Sequence, residues 1–482
     1  MKKLSIFAVL ALLVLGLSAV AQAADIKATG SWQIQAQFRN NQDFTDQDED
    51  ARLLIHQRMR TAFHFIANEN LKAVLDTQIG GSVGGWGQGL YQIGSGRNPA
   101  ASAGSADANG GAIMLRQGYL DFMVPGTKIN TKVGFQTVAL PSSGLGGGSV
   151  ILDDQAAGIV MAAPVLDTVK VVGGFVRASQ GTDNPASGSA LDAVFLAAPI
   201  TPKGFSITPF AAFAYGGSTS GAVAGGTTSN NGFASANSTS TSGVRGYWGG
   251  IAFTMDAFEP FKVFADLNYG KATYNNYVAG QNNSGREGWF FQTAVDYTGL
   301  TMMTPSLFFA YSSGEKDPGS NGSGAIDSKS KRMPSLANPQ TWALGSFFFG
   351  DRDLIMRGNN IHDSANEDMG FWALGLSLKD IALIDKVKHT AHVMYVKGTN
   401  DAGWVRNRQS GVVYGSMLSD KDSLWEVDFN TKYEMYKELN AYVNLGYINQ
   451  NFDKDVWRSV SNRYSEKDSN AYKIAMGLTY AF

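Results

Sequence analysis

The sequence predicts an all-β fold: a transmembrane antiparallel up-and-down β-barrel of about 18 strands, with 16 as the runner-up count. Three observations carry that prediction. Apolar and polar residues alternate with period two in run after run. The segments between those runs are short and long by turns. The run 472–482 has one unbroken apolar face that finishes on Phe482.

At the N-terminal side, Lys2 and Lys3 precede an almost wholly apolar stretch, 6–20, and Ala21-Gln22-Ala23 fits a small-x-small cleavage pattern. Residues 1–23 are therefore expected to be a cleaved signal peptide, with an uncleaved N-terminal anchor as the alternative. That leaves 24–482 as a single barrel domain. No later run is long and apolar enough for a membrane-spanning helix. The mean hydropathy of −0.12 does not argue against a membrane barrel, because each strand is apolar on one side only. Composition agrees: 56 Gly, 28 Phe, 18 Tyr and 9 Trp suit strands, turns and aromatic girdles better than a helical bundle. The formal charge of −2 is too small to imply a nucleic-acid partner. Cysteine is absent, which excludes disulfide and thiolate-metal frameworks.

The strands read as follows. In 29–39, Gln33, Gln35, Gln37 and Arg39 share a face opposite Trp32, Ile34, Ala36 and Phe38. In the next run, His56, Arg58, Arg60 and His64 oppose Met59, Phe63 and Phe65. Near the other end, Glu426, Asp428, Asn430 and Lys432 oppose Trp425, Val427, Phe429 and Tyr433. Successive side chains of a strand point to opposite faces, so each run has a wet side and an apolar side. In 115–121, Gln117 and Asp121 fall on the parity of Leu115 and Tyr119. Either a polar residue marks a subunit interface on the outer face, or the register shifts there. The segment 342–349 is either a loop element folded onto the barrel or a further strand.

A sandwich would alternate too; the links discriminate. Short ones are expected near 68–70, 125–127, 164–167, 199–204, 255–260, 298–300, 380–387 and 436–437. Long ones cover about 40–51, 80–111, 139–154, 179–188, 217–243, 275–286, 314–368, 399–422 and 451–469. Short turns at one end and long loops at the other is the periplasmic and extracellular pattern of outer-membrane barrels. The stretch 217–243 is close to low complexity and reads as a surface loop.

Lipid can leave no backbone group unpaired, so strands cross it only as a closed barrel. The aromatic-rich face then meets lipid, and the face with Arg58, Arg60, Lys132, Gln136, Glu426 and Asp428 meets the lumen. At about 16–18 strands that lumen is too wide for side chains to fill, and water remains. The geometry implies a channel for small hydrophilic solutes and ions.

Several segments resemble the homotrimeric outer-membrane porins of sulfate-reducing bacteria. They are Gln57-Arg58-Met59-Arg60 with Asn68-Glu69-Asn70-Leu71, Arg116-Gln117-Gly118-Tyr119-Leu120-Asp121-Phe122, Lys132-Val133-Gly134-Phe135-Gln136, Leu152-Asp153-Asp154-Gln155-Ala156-Ala157-Gly158 and the terminal strand. The local likeness lies mainly in 50–165. The resemblance implies a homotrimer, passive diffusion, and a third long loop, 139–154, bent into the lumen. Gly144, Gly146, Gly147 and Gly148 would permit a tight fold there. Asp153 and Asp154 then either face Arg58, Arg60 and Arg116 across a constriction, setting a field that tunes ion preference, or simply start the next strand at the rim.

Other constellations are set aside. Asp46-x-Asp48-x-Asp50 resembles half a calcium loop, but Ala51 stands where glycine is needed and Gln57 where the bidentate glutamate belongs. His389 and His392 are three apart, on opposite strand faces, and His56 and His64 lie about 26 Å apart along a strand. No metal site, cofactor or enzymatic activity is expected, since the five histidines offer no convincing general base. A substrate-specific channel is the second functional reading. Less favoured is a barrel whose loops act as adhesin or receptor. The expected setting is the bacterial outer membrane, with lipid and lipopolysaccharide around the barrel. Tyr480 and Phe482 look like the signal read by the outer-membrane assembly machinery, on a strand expected to pair with 27–39 and seal the barrel.

Overall fold

A computed structural model describes residues 25–41, 44, 52–80, 113–179, 191–216, 244–274, 286–316, 331–336, 370–406, 418–458 and 470–482. Residues 1–23, the acidic run 46–50, the stretch 217–243 and the segment 342–349 lie outside them.

The chain forms 18 strands. The first nine are β1 (Asp25–Asn40), β2 (Arg52–Asn68), β3 (Leu71–Gly80), β4 (Ile113–Met123), β5 (Asn130–Ala139), β6 (Asp153–Leu166), β7 (Val169–Ser179), β8 (Leu191–Ala197) and β9 (Phe205–Gly216). The other nine are β10 (Val244–Phe258), β11 (Phe261–Tyr274), β12 (Arg286–Tyr297), β13 (Thr304–Ser312), β14 (Phe371–Ile384), β15 (Val387–Gly398), β16 (Ser423–Tyr436), β17 (Leu439–Asn451) and β18 (Ala471–Ala481). Every strand pairs with its neighbours in sequence, and β18 pairs with β1, so one antiparallel sheet closes on itself. Closure leaves no edge strand, which is what lets a sheet cross lipid.

The short turns follow local chemistry. Between β2 and β3, the Asn68 side chain accepts from the Asn70 amide at 2.9 Å, a turn that asparagine makes readily. Between β4 and β5, Gly126 takes φ 74°, a left-handed angle that costs glycine little. These turns and both outer strand ends lie at one end of the barrel; the links expected to be long lie at the other.

Alternation sets the two faces. On β1, Gln33, Gln35 and Gln37 are buried while Ile34 is exposed. On β16, Glu426 and Asp428 are buried while Trp425, Val427 and Phe429 are exposed. The exposed set repeats around the wall and forms a continuous apolar band. In water such a patch would be untenable; lipid is the solvent that matches it.

One strand departs from simple alternation. The β3–β4 register shifts between Asp76 and Thr77, so Arg116 sits on a bulge opposite no single partner. Beyond it the parity inverts. Gln117 lies across from Asp76 and Asp121 across from Lys72, on the inward face, while Leu115 and Leu120 point outward. The polar residues of β4 therefore reflect a register shift and not an outward interface position. A bulge adds one residue to one strand, which is what swaps the faces.

The seam differs slightly from expectation. β18 pairs with 31–40 of β1, and residues 25–30 extend beyond it, where 25–30 pair with β2. Phe482 exchanges backbone hydrogen bonds with Gly30 at 2.8 and 3.0 Å. The Tyr480 and Phe482 rings stack on the outer surface, with centroids 5.8 Å apart.

Candidate functional site

The lumen wall is the candidate site. Its basic side is built on β1, β2 and β18. The Arg58 guanidinium donates to Gln33 Oε1 at 3.0 Å, and Arg60 Nε donates to Gln78 Oε1 at 2.8 Å. Both glutamines are buried on the inward face, so both arginines are held over the lumen side of the wall. Arg39 lies directly across from Lys473 on that face.

Glu426 and Asp428 line β16, two strands from Lys473, with Gly446 of β17 between Asp428 and Lys473. His392 lies across from Asp428, and its Nδ1 bonds Ser377 Oγ at 2.7 Å. His389 faces outward and stacks on Phe429, with centroids 5.3 Å apart.

Arg116 pairs with Asp76 at 2.8 Å, and Gln117 Nε2 donates to the same carboxylate at 3.2 Å. Lys132 lies across from Asp121 and sits over the Tyr119 ring, 5.7 Å from its centroid. Asp153 and Asp154, being consecutive, do not share a face. Asp154 lies across from buried Val138, on the inward side, and Asp153 across from Ala139, on the outward side.

The link between β5 and β6 crosses to strands a third of the way round. Ser143 donates both its amide, at 2.7 Å, and its hydroxyl to the Asp266 carboxylate on β11. Gln292 of β12 donates to Asp266 Oδ2 at 2.6 Å and to the Leu145 carbonyl at 2.8 Å. Leu140, Leu145, Val150, Ile151 and Leu152 are buried in this segment. Gly144, Gly146, Gly147 and Gly148 all have positive φ, from 60° to 146°, so side chains there would strain the path. From another link, the Leu336 amide donates to the Ile151 carbonyl at 2.8 Å, and Trp248 Nε1 donates to the Pro334 carbonyl at 2.8 Å.

At the long-loop end four links interlock. Two short helices lie there, α1 (Ala402–Arg406) and α2 (Lys454–Trp457). Asp422 is fully buried beside α2 and accepts from the Ser419 and Asp453 amides, both at 2.8 Å, and from Trp457 Nε1 at 3.1 Å. Burial pushes its carboxyl up to about 6, although those donors pull the other way. Phe44 packs edge-on to Phe452, and Arg332 stacks over Trp404 at 4.6 Å.

Sequence reading missed Asp266, Gln292 and Ser143. Alternation in Phe264-Ala265-Asp266-Leu267-Asn268 does place Asp266 and Asn268 on the wet face. It carries no sign of which loop would reach them.

No family profile matches the sequence, and no curated protein does. Solved structures do. OpdL from Pseudomonas aeruginosa is 10% identical, with 95% of this chain and 99% of that chain covered and a TM-score of 0.50. The outer membrane protein OprD from Pseudomonas aeruginosa is 12% identical, with 96% of each chain covered and a TM-score of 0.49. The outer membrane channel DcaP of Acinetobacter baumannii is 12% identical, with 95% and 98% covered and a TM-score of 0.44. The likeness to OpdL supports the barrel fold.

Proposed function

We propose that this chain is a bacterial outer-membrane porin, a water-filled channel for passive diffusion of small hydrophilic solutes and ions. The observation that carries this reading is the closed 18-strand wall with a charged and amide-lined inner face. A barrel of that size is too wide for its own side chains to fill. The segment 140–152 narrows the channel, a reading supported by its hydrogen bonds to Asp266 and Gln292 on distant strands. Arg58 and Arg60 on β2 and Glu426 and Asp428 on β16, four strands apart across the seam, give this stretch of wall separated charges, which tune ion preference. The likeness of 50–165 to homotrimeric porins of sulfate-reducing bacteria supports the same function and a trimeric assembly. Lipopolysaccharide would surround the barrel, and the outer-membrane assembly machinery would insert it.

The test is recording from purified protein in planar bilayers. Discrete conductance steps are expected, and Arg58→Glu with Arg60→Glu should move the reversal potential toward cation preference. Folded barrels that leave the bilayer silent would end the porin reading. An unchanged reversal potential would remove the two arginines from the narrow part.

A further inference from the structure

Strand parity turns four cations outward among the described residues: Arg177 on β7, Arg245 on β10, Lys271 on β11 and Lys397 on β15. All four lie at the long-loop end of their strands. The opposite end of the outer wall carries rings, among them Tyr297, Tyr433 and Tyr480, and no outward strand cation among the described residues. Amphipathic rings settle where headgroups meet acyl chains, so they mark both borders of the membrane. Cations mark only the border on the long-loop side, and cations at a membrane surface attract anionic headgroups.

Three cations converge over β10 to β12. Lys271 lies across from Tyr247 on one side and Glu287 on the other, with its Nζ 3.6 Å from Glu287 Oε2. Lys331, in the link from β13 to β14, donates to Glu287 Oε1 at 2.6 Å. The Lys331 carbonyl accepts from Ser313 Oγ at 2.6 Å, which holds that link against the wall. Arg245 lies across from Thr273, one outward row nearer the loops and about 7–8 Å diagonally from Lys271. One carboxylate among three cations leaves positive charge in excess, on side chains that are all exposed. The other two outward cations stand apart. Arg177 is neutralised by Asp192 through two bonds, at 2.8 and 3.0 Å, and Lys397 lies between Trp372 and Ser423.

The wall just below this cluster is shaped as well as apolar. Phe213 and Tyr247 pair at 5.2 Å, and one row nearer the middle Tyr269 and Trp289 pair at 4.6 Å. Beside Tyr269 in that row lie Gly249 and, across from it, Ala211. A side chain built on Gly249 would meet only the Phe210 carbonyl, at 3.7 Å, so the wall dips there between the rings. We propose that Arg245, Lys271 and Lys331 seat a phosphate of lipopolysaccharide, with one of its acyl chains lying in the dip at Ala211 and Gly249. Cations directly above an apolar dip suit a molecule that carries phosphate and acyl chain together, which free phosphate does not. The site rests on the membrane-spanning reading with the long loops outside, and it narrows a surrounding lipid to one held at a fixed place.

The test is native mass spectrometry of purified, heat-modifiable barrels with lipid A added in bisphosphorylated or dephosphorylated form. Arg245→Gln with Lys271→Gln removes two of the three cations. Lys128→Gln with Lys203→Gln, in exposed short turns at the opposite end, removes the same charge elsewhere. Bound bisphosphorylated lipid A is expected to fall several-fold in the first double variant and to stay at the parental level in the second. Dephosphorylated lipid A should bind both double variants and the parent alike. Gly249→Leu, which fills the dip, should weaken binding of both forms several-fold. Equal retention or equal loss in the two double variants, the same loss with dephosphorylated lipid, or full binding by Gly249→Leu would overturn the proposal. So would displacement of the lipid by millimolar inorganic phosphate, or retention of phosphatidylglycerol at the same level as lipid A. Conductance of the same barrels reports separately on the porin reading.

Discussion

Asp422 is the residue whose chemistry depends most on its surroundings. Its carboxylate ties Ser419, Asp453 and Trp457 together, and burial favours its neutral form. Its folded value, about 6, lies above the ordinary 3.8, so the folded state binds the proton more tightly than the unfolded chain does. Its contribution to stability is therefore fully present below about pH 3.8 and is lost as pH rises through about 6. Hydrogen exchange of 418–422 and 453–457, corrected for intrinsic rates, should show more protection at pH 5 than at pH 7.5. In Asp422→Asn this dependence should vanish and protection should fall at both pH values, because an amide N–H then faces donors. Equal protection of the native chain at both pH values would show that Asp422 does not govern this cluster.

Among elements, the link between β5 and β6 holds a path that its own residues do not dictate. The glycines allow the path, and Asp266 with Gln292 secures it at a distance in sequence of more than 100 residues. Asp266→Ala leaves the Ser143 amide and the Gln292 amide group without their acceptor, at about 1–3 kcal/mol for each donor left unsatisfied. The expected outcome is a larger and noisier single-channel current, with faster entry of larger sugars into liposomes. Current and sugar cut-off matching the parent would mean that apolar packing of Leu145, Ile151 and Leu152 alone holds the segment. The β4 bulge is the other element-scale finding. One extra residue at Arg116 turns Gln117 and Asp121 inward; Arg116 pairs with Asp76 and Asp121 with Lys72.

For the whole molecule, closure depends on one seam. Phe482 bonds Gly30 through both backbone groups, and its ring lies over that glycine on the lipid side. Phe482→Asp places a carboxylate on the lipid face where the barrel seals, which is costly at depth. The yield of assembled barrels should fall several-fold, while the unit conductance of those that do form stays near the parental value. Full yield would show that the seam closes without the ring.

The sequence by itself determined the barrel, its strand count to within two, the ends at which short and long links lie, and the inward placement of Arg58, Arg60, Glu426 and Asp428. All of these follow from period two and from turn chemistry, which are local. Tertiary structure decided what locality cannot. The bulge at Arg116 inverted a parity that counting by twos had carried forward unbroken. Strand register decided that Asp154 faces inward and Asp153 outward. The partners of the 140–152 segment and the buried place of Asp422 depend on which distant segments closure brings together. Alternation says which way a side chain points; only the closed sheet says what stands opposite it.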